Sequence, residues 1–196
     1  MPPPGRGALL GAVPGRRGRA RLRDSPRRRG GVGALVKVAV LRRRWTAAGG
    51  GERFAHAFVE TLAGAGHEVH LFAEHWRTPP PRVRLHRIPS LPAGAAARTL
   101  AYAVLAPRAA RAAGVDVVHS FERTLAQDLY RAGEGCHRQW LGLRRHLGRR
   151  RRWSESWRPF HRVVLALEDR ICRRGAARLI VVNSRLVEDG FRGAYG

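Results

Sequence analysis

From residue 36 onward, short runs of aliphatic and β-branched residues alternate with longer Ala- and Leu-rich stretches whose apolar positions recur at helical spacing. A strand buried on both faces reads as a continuous apolar run, and parallel neighbours need crossovers, so this alternation predicts an α/β domain with a mostly parallel sheet and helices on both faces. Strands are predicted over 36–41, Glu68–Ala73, 83–88, 115–119 and 177–182. The 83–88 run alternates at period two, as an edge or half-buried strand does. Helices are predicted over 52–65, 95–113, 139–147 and Pro159–Arg173, the second of them interrupted or kinked at Pro107. After the last strand, Asn183-Ser184 offers an N-cap for one more helix. No internal repeat is visible.

Residues 1–34 break the pattern. They are Pro, Gly and Arg with almost no bulky apolar side chains, and cannot bury enough surface to offset the entropy of ordering. They are expected to be a disordered basic arm, with residues 35–196 as the single folded domain that a chain of 196 residues accommodates. Nine arginines against Asp24 put about +8 of the formal +24 in the arm and about +16 in the rest. Of the 38 basic residues all but Lys37 are arginine, and Ala, Gly and Pro are abundant too. That composition follows from GC-rich coding DNA, so the charge favours anionic partners in general without selecting one. A reading frame extended upstream of its start gives the composition of the arm, and Val36-Lys37-Val38-Ala39-Val40 reads as the opening of a domain begun at a GTG codon. A nucleic-acid or membrane arm is the alternative.

Cys136 and Cys172 are the only cysteines, which excludes a disulfide framework and fits a reducing compartment. No apolar run approaches the roughly 18 residues that span a bilayer, and the apolar stretch at 8–13 is too short for a secretory signal. A cytoplasmic protein is expected.

Gly49, Gly50 and Gly51, followed by Glu52-Arg53, fall between the first predicted strand and the first helix. This is the carboxyl edge of the sheet, where open α/β proteins bind ligands. Residues without Cβ admit a ligand to the main chain, and free amides at a helix start suit an anionic group such as phosphate; a flexible turn is the plain alternative. His67-Glu68-Val69-His70 lacks the spacing of a helical metal site, and Cys136-His137 has no second pair at zinc-site distance.

The order Gly-Gly-x-Glu-Arg, amphipathic helix, Gly66-His67-Glu68-Val69 resembles the N-terminal lobe of the retaining nucleotide-sugar glycosyltransferases of family 4, which have the two-lobed GT-B architecture. Val115-Asp116-Val117-Val118-His119 resembles that family's strand leading into the active-site cleft. The stretch from Ala177 to Ser184 resembles its strand ending in Asn-Ser, and the segment from Gln127 to His137 is similar to one in the branch that glycosylates lipopolysaccharide core sugars. The resemblance implies a Rossmann-like, acceptor-side lobe. It further implies a nucleotide-sugar donor, a glycolipid or lipopolysaccharide-type acceptor, no metal or other cofactor, and a location that includes the inner face of the cytoplasmic membrane. Two departures are visible. Many family members have a donor-contacting histidine where this chain has Phe121, and the second, nucleotide-binding lobe with its paired glutamates has no counterpart in these residues. The chain is therefore expected to be half of an enzyme and inactive alone.

Asp128 and Glu134 are the carboxylates expected nearest the cleft, where one could orient or deprotonate an acceptor hydroxyl; ion pairing with a neighbouring arginine is the competing role. Glu122 is a third candidate. His119 closes a strand and is expected to face either ligand or the buried main chain. Arg144, Arg145, Arg149 to Arg152 and Arg158, interleaved with Trp140, Trp153 and Trp157, form the most basic and aromatic part of the domain. It suits an anionic membrane surface or a phosphorylated acceptor, a single-stranded nucleic acid, or simply a solvated helix face.

Overall fold

A computed structural model describes residues 12–14, 35–45, 50–76, 82–146 and 158–196. Among the described residues seven strands form one sheet. In chain order they are β1 (Ala12–Pro14), β2 (Lys37–Leu41), β4 (Glu68–Ala73), β6 (Val83–Arg87), β7 (Val117–Ser120), β8 (Leu129–Arg131) and β9 (Leu179–Val181), lying side by side as β1-β9-β8-β7-β2-β4-β6. Every pairing is parallel except β1 against β9. Two further short strands, β3 (Arg44–Trp45) and β5 (His75–Trp76), pair in parallel on their own. Leaving β1 aside, the order runs outward from β2 in both directions, the doubly wound arrangement of Rossmann-like lobes.

Among the described residues the helices are α1 (Gly50–Gly64), α2 (Ala95–Ala112), α3 (His137–His146), α4 (Pro159–Arg173) and α5 (Arg185–Tyr195). Strand alternation decides which of them each residue meets. In β2, Val38 and Val40 pack with Ala55 and Val59 of α1, together with Val69, Leu71 and Ala73 of β4. The intervening Ala39 and Leu41 pack with Phe72 and with Tyr102, Ala106 and Ala110 of α2. The Tyr102 hydroxyl donates to the Phe72 carbonyl (2.8 Å), which satisfies the one polar atom that this ring brings into the core. A third cluster joins Tyr130, Ile171, Ile180, Val182 and Phe191 beneath α4 and α5.

Gly66 marks the end of α1 for a physical reason. Its φ is +86°, its amide donates to the Ala63 carbonyl, and the His67 amide donates to the Leu62 carbonyl. This is a Schellman-type termination, which favours glycine at the left-handed position. It turns the chain directly into β4, so the Gly66-His67 motif is first of all a helix stop. At the other end of the domain, Ser184 caps α5 by accepting from the Val187 amide (3.3 Å), as its sequence predicts.

Three features depart from the sequence expectations. α2 runs as one helix through Pro107, which is itself buried. The short strand β8 is not legible in advance, having only three residues. Ala12–Pro14, within the stretch read as a disordered arm, lies antiparallel along β9; the remainder of residues 1–34 falls outside the described residues.

Candidate active site

The strand order reverses between β2 and β7, and loops leaving neighbouring carboxyl ends diverge at such a switch point to open a crevice. Arg42 and Arg43 follow β2, Phe121, Glu122 and Arg123 follow β7, and Gly133 and Glu134 follow β8, while Gly51 and Glu52 begin α1. These residues line two adjoining cavities of 340 and 220 Å³ that share Arg42, Glu52 and Glu134.

The crevice is wired by charge. Arg42 donates to Glu52 Oε1 (2.9 Å) and lies 3.6 Å from Glu122 Oε1. Glu52 stands in the first turn of α1, where a carboxylate also meets the positive end of the helix dipole. Glu122 Oε1 accepts from the Arg43 amide (3.1 Å), which has left the β ladder, so one side chain of the β7 loop ties down the β2 loop. Ser120 braces Glu122 by donating to its carbonyl and accepting from its amide. Burial raises the Glu122 carboxyl above its ordinary range, against the pull of Arg42. Arg43 pairs with the buried Glu74 (3.5 Å) and donates to Thr99 of α2.

Behind this layer is Glu168 of α4, fully buried. Its carboxylate accepts from Arg123 Nε (3.0 Å), the His137 and Arg138 amides (2.7 and 3.2 Å) and the Tyr195 hydroxyl (2.9 Å). The two amides are orphan donors at the start of α3, so a buried carboxylate there is matched by dipole and hydrogen bonds as well as by a cation. Arg123, so anchored, donates onward to the Gly135 carbonyl (2.9 Å) and to Glu134 (3.3 Å) at the mouth of the crevice.

Arg131 is different. Its guanidinium stacks on Phe54, 3.9 Å from the ring centroid, with Phe121 at 5.7 Å. A Cβ at Gly133 would run into the guanidinium, so glycine there makes its place.

Of the residues singled out in the sequence, Arg149 to Arg152, Trp153 and Trp157 lie outside the described residues. Gly51, Glu122 and Glu134 line the crevice. Gly50 opens α1 with no atom near its absent Cβ, and Gly49 lies outside the described residues. The expected placement of Asp128 is corrected. It precedes β8, at the amino edge of the sheet, where its carboxylate accepts from the Val118 amide (2.9 Å) and faces Arg178 at 4.0 Å. A parallel strand enters the sheet at one edge and leaves at the other, so residues just before and just after β8 sit on opposite sides of the domain. His119 lies in the aromatic core with Phe58 and Phe121, at ring-centroid distances of 4.5 and 5.0 Å, and does not line either cavity. Burial, with Arg131 nearby, lowers its pKa to about 4, which keeps the ring neutral. Sequence reading missed Arg42, Arg43, Arg123, Arg131 and Glu168. In a chain with so many arginines only their positions, just after apolar runs, could have distinguished them.

The sequence profile of Glycosyltransferase Family 4 matches residues 48–196. The chain belongs to that family. Among solved structures it is similar to WaaG, described as a glycosyltransferase involved in lipopolysaccharide biosynthesis, with a TM-score of 0.71 at 18% identity over 81% of this chain. The chain spans 41% of the length of that structure. No curated protein matches it significantly.

Proposed function

We propose that this chain is the acceptor-side lobe of a retaining glycosyltransferase that moves a sugar from a nucleotide-sugar donor to a glycolipid or lipopolysaccharide-type saccharide. The observation that carries the reading is the polar crevice at the carboxyl edge, at the switch point of a family 4 lobe. Its carboxylates and guanidiniums present alternating acceptors and donors, which suits the hydroxyls of a sugar. Glu134 is the carboxylate for the acceptor hydroxyl, being 63% exposed and steadied by the anchored Arg123. Glu122 shapes the pocket from beneath, and the start of α1 at Gly50 and Gly51 approaches the donor phosphates or the transferring sugar. The groups that stabilise the departing diphosphate belong to a second lobe, so transfer needs residues beyond these 196. Neither a metal nor another cofactor is assigned a role.

The same reading includes peripheral contact with an anionic membrane at the cytoplasmic side. Trp140 and Leu143 of α3 are exposed, and Arg144 stacks on Trp140 at 4.6 Å. Beside them a groove of 730 Å³ is lined by Leu100, Leu125 and Val163, with Arg162, Arg170 and Arg174 also lining it. Among the described residues no helix is long and apolar enough to cross a membrane.

Two assays test the proposal. Fused to the donor lobe of a family member, the chain is expected to support sugar transfer that Glu134→Gln reduces at least tenfold, and the 196-residue chain alone is expected to show none. Robust transfer by the chain alone, or a fusion indifferent to Glu134, would refute it. Salt-dependent binding to anionic vesicles, with no binding to a single-stranded oligonucleotide, separates the membrane contact from a nucleic-acid surface.

A further inference from the structure

The arginines of the crevice differ in one respect. Arg42 is matched by Glu52 and Glu122, Arg43 by Glu74, and Arg123 by Glu168 and Glu134, while Arg44, which also lines the larger cavity, is exposed to water. Arg131 lines the 220 Å³ cavity with no carboxylate at ion-pair distance and no hydrogen-bond acceptor among the described residues. Its neighbours make this costly, since it is partly desolvated and shares the cavity with a second cation, Arg42. A surface arginine relieves such a cost by swinging into water. Here one face of the guanidinium is held on Phe54, and the main chain at Gly133 closes against its edge.

We propose that Arg131 is an oxyanion-binding residue, and that the 220 Å³ cavity takes a phosphate or carboxylate carried by a saccharide ligand. All five N–H groups of a guanidinium lie in its plane. Stacking on an aromatic ring therefore uses the face and leaves the fork free for a bidentate oxyanion. Gly51 also lines this cavity, and the space left by its absent Cβ adjoins the Arg42 guanidinium (3.7 Å), so an oxyanion at the opening turn of α1 would meet a second cation. Two sources carry this chemistry, the diphosphate of a nucleotide sugar and an anionic substituent on the acceptor.

The test is a binding measurement on the full 196-residue chain, followed by calorimetry and by the NMR signals of the Arg131 Nε–H and the Gly133 amide. The probes are inorganic pyrophosphate, a hexose 1-phosphate, a hexuronate and a nucleoside diphosphate, with a neutral methyl hexoside as control. At least one anion is expected to bind and to shift both signals, while the neutral sugar does neither. Arg131→Gln should weaken that anion roughly tenfold or more. Gly133→Ala should do the same with an unchanged melting temperature, because it displaces only the end of a flexible side chain. Arg178→Gln, at the far edge of the sheet, should change nothing. Competition between the nucleoside diphosphate and the hexose phosphate would assign the site to the donor; binding of hexose phosphate or hexuronate in the presence of saturating nucleoside diphosphate would assign it to the acceptor. Equal anion affinity in wild type and Arg131→Gln, or no anion binding at all, overturns the proposal. The readout is binding by this chain alone, so it stands or falls separately from sugar transfer by a two-lobe enzyme.

Discussion

The two edges of one parallel sheet use the same residue types for different ends. At the amino edge, Asp116 accepts from the Lys37 amide (2.8 Å) and Asp128 from the Val118 amide (2.9 Å). Each supplies a main-chain donor at the start of a strand with the acceptor it lacks. At the carboxyl edge, Glu122 does this for Arg43, but Glu52, Glu134 and Glu168 pair with guanidiniums instead, and cavities remain between them. The difference is topological. Loops leaving β2 and β7 diverge, so side chains there face one another across open space. Glu68, which opens β4 at the amino edge, also pairs with Arg84 (3.2 Å) and Lys37 (3.6 Å), so ion pairs form at both edges and the open crevice is what sets the carboxyl edge apart.

The largest effect is expected where the carboxyl edge is anchored. Glu168→Ala removes the buried carboxylate shared by Arg123, two helix-start amides and the Tyr195 hydroxyl, leaving the amides unpaired and Arg123 with only Glu134 and the Gly135 carbonyl, and should cost about 3–5 kcal/mol in denaturant unfolding. A loss under about 1 kcal/mol would mean that water replaces the network. Next is the pH dependence of His119. An unfolded histidine takes up a proton near pH 6.5 whereas His119 in the fold does so only near pH 4. The unfolded chain thus binds the extra proton as pH falls through that interval, and stability should drop by about 3 kcal/mol between the two values. His119→Phe should remove that share of the slope, and an unchanged slope would place the ring in water.

The edges themselves are compared by a pair of variants. Asp128→Ala should lower stability by about 1–2 kcal/mol through the unpaired Val118 amide and leave ligand affinity alone. Glu134→Gln should do the converse, moving stability by less than about 0.5 kcal/mol while weakening acceptor use in a two-lobe fusion. Equal functional loss in both would erase the distinction between the edges. The smallest effect is expected at Gly50, whose absent Cβ faces open space. Gly50→Ala should stabilise α1 by about 0.5 kcal/mol, and thermal melts would detect a clash as a change of the opposite sign.

Much of this was carried by the sequence on its own terms. In the runs at 36–41 and Glu68–Ala73 residues 38–41 and 69–73 are buried on both faces and so announce themselves as parallel strands, and Pro159–Arg173 has the apolar stripe of a helix seated on a sheet. The Asn-Ser motif is legible because it acts locally, capping a helix, whereas Gly66, read in the sequence only as part of a family motif, shows its role as a helix stop in the structure. β8 escaped because three residues show no period; it exists through its parallel pairing with β7 and β9. Without β8 in place, Asp128 and Glu134 read as near neighbours, six residues apart in a loop. Only the strand between them sends one to each edge. The roles of the arginines were likewise settled by tertiary structure. Their number was fixed by composition, but whether a guanidinium meets a carboxylate, as Arg123 meets Glu168 across 45 residues, or stacks on an aromatic ring, as Arg131 does on Phe54, depends on contacts between distant segments. Electrostatic interactions act through space over a few ångströms, so sequence distance gives them no signature.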